Sequence, residues 1–179
     1  MACNATVYKA HINIADMDRN YYADHHITVA CHPSENETRM MMRILAFMLN
    51  ADERLQFGKG LSNQEEASLW SKDDTDRIHL WVDLGQPDEK RIRHACQRAD
   101  QVIIYTYQPR TALPWWQQIK GKLSRYDNLT LWHLDQATVD KLTALAQRTM
   151  HLQCTIEDGE VWISDNQSQL SIKLNSEPG

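Results

Sequence analysis

The 179-residue sequence has no apolar run approaching the length of a membrane span, and its opening stretch, MACNATVYKAH, lacks the apolar core of a secretory leader. Those absences predict a chain that neither crosses a membrane nor is exported. Four cysteines (Cys3, Cys31, Cys96 and Cys154) are scattered without CxxC or disulfide-like spacing, which predicts a reducing, cytoplasmic setting. No nucleophile elbow is present, and Gly58-Lys59-Gly60 is too short for a phosphate-cradling P-loop. Internal repeats and low-complexity tracts are also missing. A net charge of -5 argues against a protein that coats nucleic acid non-specifically, while leaving room for a local basic groove. His25-His26 and Cys31-His32 resemble a zinc cluster at first sight, but neighbours on a strand face opposite ways, so zinc is not expected.

What is present reads as one α/β domain over residues 1–179, with a mixed central sheet flanked by helices. Tyr8, Ala10, Ile12 and Ile14 alternate with Lys9, His11 and Asn13, giving a half-buried strand. Ile27, Val29 and Cys31 give a second strand, so the chain opens with a hairpin. Ser34 and Glu37 fit a capping box ahead of an amphipathic helix over about residues 35–50, with Met41, Ile44, Leu45 and Met48 inward. Met40-Met41-Met42 reads as core and helix surface. Gly58 and Gly60 suit a tight loop. EASLWSKD and RIHLWVDLG read as strands, the second apolar on both faces and therefore interior. Pro87 suits a helix's first turn, with Asp88 and Glu89 at its positive end. QVIIYTY then completes a β-α-β unit over residues 78–107 with parallel pairing. A Trp-containing helix follows Pro114, LTLWHL is a strand, and QATVDKLTALAQRTM is a helix with Val139, Leu142 and Ala146 inward. LQCTIEDGEVWISD is a hairpin turning at Asp158-Gly159, and QLSIKL adds a last strand.

Asp83 stands out because it ends the interior strand, and ligands bind beyond the carboxyl ends of strands in open α/β sheets. A carboxylate there is costly to bury unless it is bonded. It either accepts from backbone amides near Gly85 or from the following helix, or it joins Glu35 and Glu66 in holding a hard cation. Glu35 with Arg39 also has the spacing of an ordinary helical ion pair, and Glu66 sits beside Glu65 in a polar stretch.

HPSENETRMM, ADERLQFGKGLS, the EASLW segment, WVDLGQPDEKRIRHACQRADQVIIYTY and the WW pair together resemble the bacterial YaeQ family, in order and over nearly the whole chain. The resemblance implies a variant of the PD-(D/E)xK nuclease architecture. It makes Glu35 the helical acid and Glu66 and Asp83 the strand acids, and the three would hold Mg²⁺ to activate a water for phosphodiester hydrolysis. The nuclease pattern expects lysine two residues after Asp83, where this chain has Gly85. Lys59, Gln86 or Lys90 would have to substitute. The chain also departs from the family at Ala67 and His94, where proline and lysine are common. Ser34 and Arg39 line the same helix start, with Arg39 available to a phosphate oxygen.

From Arg110 to Tyr126 there is no acid, and Arg110, Lys120, Lys122 and Arg125 surround Trp115 and Trp116. Bases interleaved with aromatics suit a nucleic-acid contact; the same pattern also fits a helix with its tryptophans in the core. Three readings follow. One is a Mg²⁺-dependent nuclease. Another is a non-catalytic module that keeps the fold and binds nucleic acid or protein. In the third, the acids form a structural polar network with Arg39 and Lys90 and bind nothing.

Overall fold

The computed structural model describes residues 5–59 and 65–178; Cys3 and Gly60 lie outside them. The chain divides into two compact units, Met1–Met48 with Ala137–Lys173 and Leu49–Gln136 with Leu174–Gly179. Each contains its own five-stranded mixed sheet, where the sequence suggested one central sheet.

In the first unit the expected hairpin forms from Thr6–Asp16 (β1) and Tyr21–Cys31 (β2), paired antiparallel from Thr6↔Cys31 to Asp16↔Tyr21. Ala10, Ile12, Ile14 and Val29 face inward and are buried, as their alternation requires. Glu37–Asn50 (α1) follows. Its cap differs from the expected capping box. Asn36 Oδ1 accepts from Arg39 N at 2.8 Å, so Asn36 caps the helix and Ser34 lies outside it, bonded to His32. Met41, Ile44, Leu45 and Met48 are buried as expected, and residues 40, 42, 46 and 47 widen that apolar face, leaving Glu37, Arg39 and Arg43 on the more polar side.

Leu55–Phe57 (β3) opens the second sheet; the two expected strands are present as Leu69–Lys72 (β4) and Ile78–Leu84 (β5), and they pair antiparallel. The β-α-β unit is present: Glu89–Arg98 (α2) leads to Ala99–Thr106 (β6), parallel to β5. Asp88, not Pro87, begins this helix, its carboxylate accepting from Arg91 N at 2.8 Å. Pro109–Leu123 (α3) starts at Pro109, ahead of the expected start after Pro114, so that Pro114 lies inside it. Pro109 occupies the first turn, where its lacking N–H costs nothing, and Gln108 before it takes a left-handed φ of 61°. Leu129–His133 (β7) completes the order β3-β4-β5-β6-β7, with β5 in the middle. Trp70, Trp81, Ile92, Val102, Ile104 and Ile119 form the centre of this unit's core.

Gln136–Thr143 (α4) is shorter than the helix expected to reach Met150, because Thr149 and Met150 are taken into Thr149–Glu157 (β8). That strand lies parallel to β1, with Lys9↔Thr149 and Ala10↔Met150 in register. Val139 and Leu142 are buried as expected, while Ala146 is half-buried beyond the helix end. Glu160–Ser164 (β9) and Gln169–Ile172 (β10) extend the first sheet to β10-β9-β8-β1-β2. Asp158 (φ 52°) and Gly159 (φ 76°) form the left-handed turn that their sequence predicts. Asp18 accepts from both of their amides, at 2.7 and 2.9 Å.

Two glycines give opposite expectations. A Cβ on Gly58 would fall 1.9 Å from the backbone oxygen of Ala67, whereas one on Gly121 in α3 would meet nothing within 4 Å. Gly58→Ala is expected to destabilise by more than about 1 kcal/mol and Gly121→Ala to stabilise by about 0.5–1 kcal/mol, both read by chemical denaturation. Burial pushes the Cys154 thiol up to about 12 and the Cys96 thiol to about 11. Both are therefore expected to resist iodoacetamide at neutral pH in the folded protein and to react once it is unfolded, as counted by mass spectrometry.

Candidate functional site

Strand β5 delivers Asp83 to its carboxyl end, opposite Ile104 of β6. The side chain is 5% exposed, and Arg91 meets it with a two-pronged grip: Nε donates to Oδ2 at 2.7 Å and Nη2 to Oδ1 at 3.0 Å. Ser68 N adds a third bond to Oδ1 at 3.2 Å. The cap at Asp88 sets Arg91 in the first turn of α2, and from there its side chain reaches back to the strand. Arg91 Nη2 also donates to the Glu66 carbonyl at 2.7 Å, and the guanidinium lies 5.6 Å from the Trp81 ring centre. One cation thus ties together the end of β5, the start of α2 and the segment entering β4.

Glu66 precedes β4 and does not open it. Its carboxylate accepts from the Lys59 main-chain amide at 2.8 Å, so Lys59 meets this acid through its backbone. Gln86 donates to the Tyr107 carbonyl at 3.1 Å, and Lys90 is exposed. Gly85 explains the missing lysine. Its φ of +85° is a conformation that side chains strain, and its N–H bonds Tyr105 O at 2.9 Å.

Glu35 lies in the other unit, ahead of α1. It is gripped in the same way, with Arg43 Nε to Oε1 at 2.8 Å and Nη2 to Oε2 at 2.7 Å, and the Glu35 side chain is 4% exposed. Arg43 therefore takes the role that helical spacing suggested for Arg39. Arg39 leaves its buried Nε without a hydrogen-bond partner among the described residues.

On α3, Arg110 and Lys120 are exposed. Trp115 and Trp116 are partly buried against the core, and Trp115 Nε1 donates to the Pro87 carbonyl at 2.8 Å. Lys122 and Arg125 pair with Glu89, at 3.5 and 2.9 Å.

Mg²⁺ needs several oxygens directed at one point. Arginine occupies both oxygens of Asp83 and of Glu35, and among the described residues no three His, Cys, Asp or Glu side chains could hold a metal ion. As arranged, this donor set does not fit Mg²⁺. Arg91 and Arg43 are the residues that sequence reasoning missed. Each stands eight positions after its acid, a separation that no local rule marks. Gly85→Lys, which would restore the nuclease pattern in writing, is expected to cost about 1–2 kcal/mol of stability in a denaturant titration.

The model of the YaeQ protein family matches residues 1–174. Uncharacterized YaeQ proteins of Escherichia coli (strain K12) and Salmonella typhi are each 47% identical over 176 residues, covering 98% of this chain and 97% of theirs. The crystal structure of the YaeQ protein from Xanthomonas axonopodis pv. citri is 44% identical, with a TM-score of 0.91 over 95% of this chain and 96% of that one. That of Pseudomonas syringae is 30% identical, with a TM-score of 0.90 over 98% of each. No helix among the described residues is long and apolar enough to cross a membrane. With one family model spanning nearly the whole sequence and two solved relatives sharing its fold, the chain belongs to the YaeQ family.

Proposed function

We propose that this chain is a non-catalytic nucleic-acid-binding module on a variant PD-(D/E)xK architecture, in which arginine stands where a nuclease would hold its metal. The observation that carries the reading is the Arg91 guanidinium on Asp83, a carboxylate that is 5% exposed. A guanidinium neutralises a buried carboxylate but offers no coordinated water to activate. Binding would fall to the exposed bases of α3. Lys120 and Arg110 are the leading contacts, since Lys122 and Arg125 already share Glu89. With its tryptophans packed inward, this helix would recognise phosphates and would not stack bases. The Mg²⁺-dependent hydrolase reading draws on Glu66, whose carboxylate accepts from the Lys59 main-chain amide.

Calorimetric titration with Mg²⁺ and Mn²⁺ separates the two. The module reading expects no binding heat and no cleavage of labelled DNA or RNA. Saturable heat and cleavage, both lost in Asp83→Asn, would establish the hydrolase instead. In fluorescence anisotropy with a short duplex, Arg110→Ala/Lys120→Ala is expected to weaken binding by roughly threefold to tenfold and to flatten its salt dependence. An unchanged affinity would remove α3 from the interface.

A further inference from the structure

The outward face of the first sheet carries a cluster that the α3 reading does not use. Register places His26, His11 and His151 side by side across β2, β1 and β8, with Thr28, Lys9 and Thr149 in the next row of the same face. All six are exposed. The rings touch: His11 lies 4.1 Å from His26 and 4.8 Å from His151, centroid to centroid. A cavity of about 480 Å³ opens beside the row; besides the three histidines its lining includes His25 and two acids, Asp24 and Asp165.

The chemistry of these six side chains is one-sided. Every one can donate an N–H or O–H, one is a permanent cation, three can become cations, and none is an acid. No side-chain hydrogen bond or ion pair joins any of them to another described residue. The neighbouring acids have other partners: Asp24 accepts from Asn13 Nδ2 at 2.8 Å, and Asp165 accepts from the amides of Gln167 and Ser168 at 2.8 and 2.6 Å. Arg148, at the entry to β8, adds a further cation at the Lys9 end, its Nε donating to Val7 O at 3.1 Å.

We propose that the patch of Lys9, His11, His26, Thr28, Thr149 and His151 binds a phosphate group and takes up protons as it does so. The tetrahedral oxyanion accepts from hydroxyl, ammonium and imidazole donors together. Its charge removes the repulsion that otherwise opposes protonating adjacent rings. That repulsion is already visible at His11, whose pKa is lowered first by desolvation among its neighbours and then by His26, His151 and Lys9. On β2 and β8 the titratable groups facing His11 are His26, Asp24 and His151; on its own strand the neighbour is Lys9. The site lies in the first unit and does not depend on the α3 interface.

The test is an NMR pH titration of the histidine ring protons of the full chain, with and without inorganic phosphate and at constant ionic strength set with chloride. A parallel arm replaces phosphate with a short oligothymidylate. Phosphate binding is expected to raise the apparent pKa of His11, His26 and His151 by roughly half a unit or more. His79, an exposed residue of β5 that does not line the cavity, serves as the unresponsive internal control. Lys9→Gln should reduce the shifts, and His11→Asn, an exposed replacement, should abolish them at His26 and His151 while His79 is unchanged. Shifts with phosphate alone indicate a free anion, and larger shifts with the oligonucleotide indicate a phosphodiester backbone. Unchanged pKa values in both arms, or shifts of the same size in His11→Asn, would overturn the proposal.

Discussion

A single guanidinium against a buried carboxylate organises the second unit. Strand β5 is central in its sheet and buried on both faces near its end, so Asp83 arrives where water cannot solvate it. Left alone there, it would cost several kcal/mol. Arg91 meets that cost, and it can do so only because Asp88 caps α2 and fixes the first turn beneath the strand end. The same side chain holds the Glu66 carbonyl and lies against Trp81. The pair therefore specifies geometry: it states where β5 ends, where α2 begins and how the chain enters β4.

The first unit repeats the device. Arg43 grips Glu35 through both oxygens and adds a bond of 2.9 Å to the Ala30 carbonyl at the end of β2. Two of the acids that family resemblance associates with a metal are thus neutralised by planar, monovalent cations. A planar cation supplies charge and orientation, but it neither polarises a water nor exchanges ligands as Mg²⁺ does. In the proposed reading, the architecture is held by the charge compensation that a nuclease would reserve for chemistry.

Much of the fold was legible because it is local. The alternation from Tyr8 to Ile14, the doubly apolar β5, the β-α-β unit and the Asp158-Gly159 turn all depend on neighbours a few residues apart, and each is present. What escaped was a choice between neighbouring local signals or a pairing distant in sequence. Asn36 outcompeted Ser34 for the helix cap, Pro114 was absorbed into α3, and β8 returned beside β1 after more than a hundred residues. Asp83 was legible as a carboxylate needing a partner, yet nothing in WVDLGQPDEKR distinguished Arg91 from Lys90 or a metal ion. Gly85 was legible only as a missing lysine, until its positive φ gave it a backbone role. The histidine row could not be read at all, since His11, His26 and His151 meet only through strand register.

A double-mutant cycle on Asp83 and Arg91 tests the central claim most directly. Asp83→Asn, Arg91→Met and the double variant would be unfolded in denaturant and compared with the native chain. A structural ion pair predicts a favourable coupling energy of about 2–3 kcal/mol, with the double variant less damaged than the two single losses summed. A coupling near zero, with Asp83→Asn as stable as the native chain, would contradict the account and return Asp83 to the role of an acid kept for a ligand.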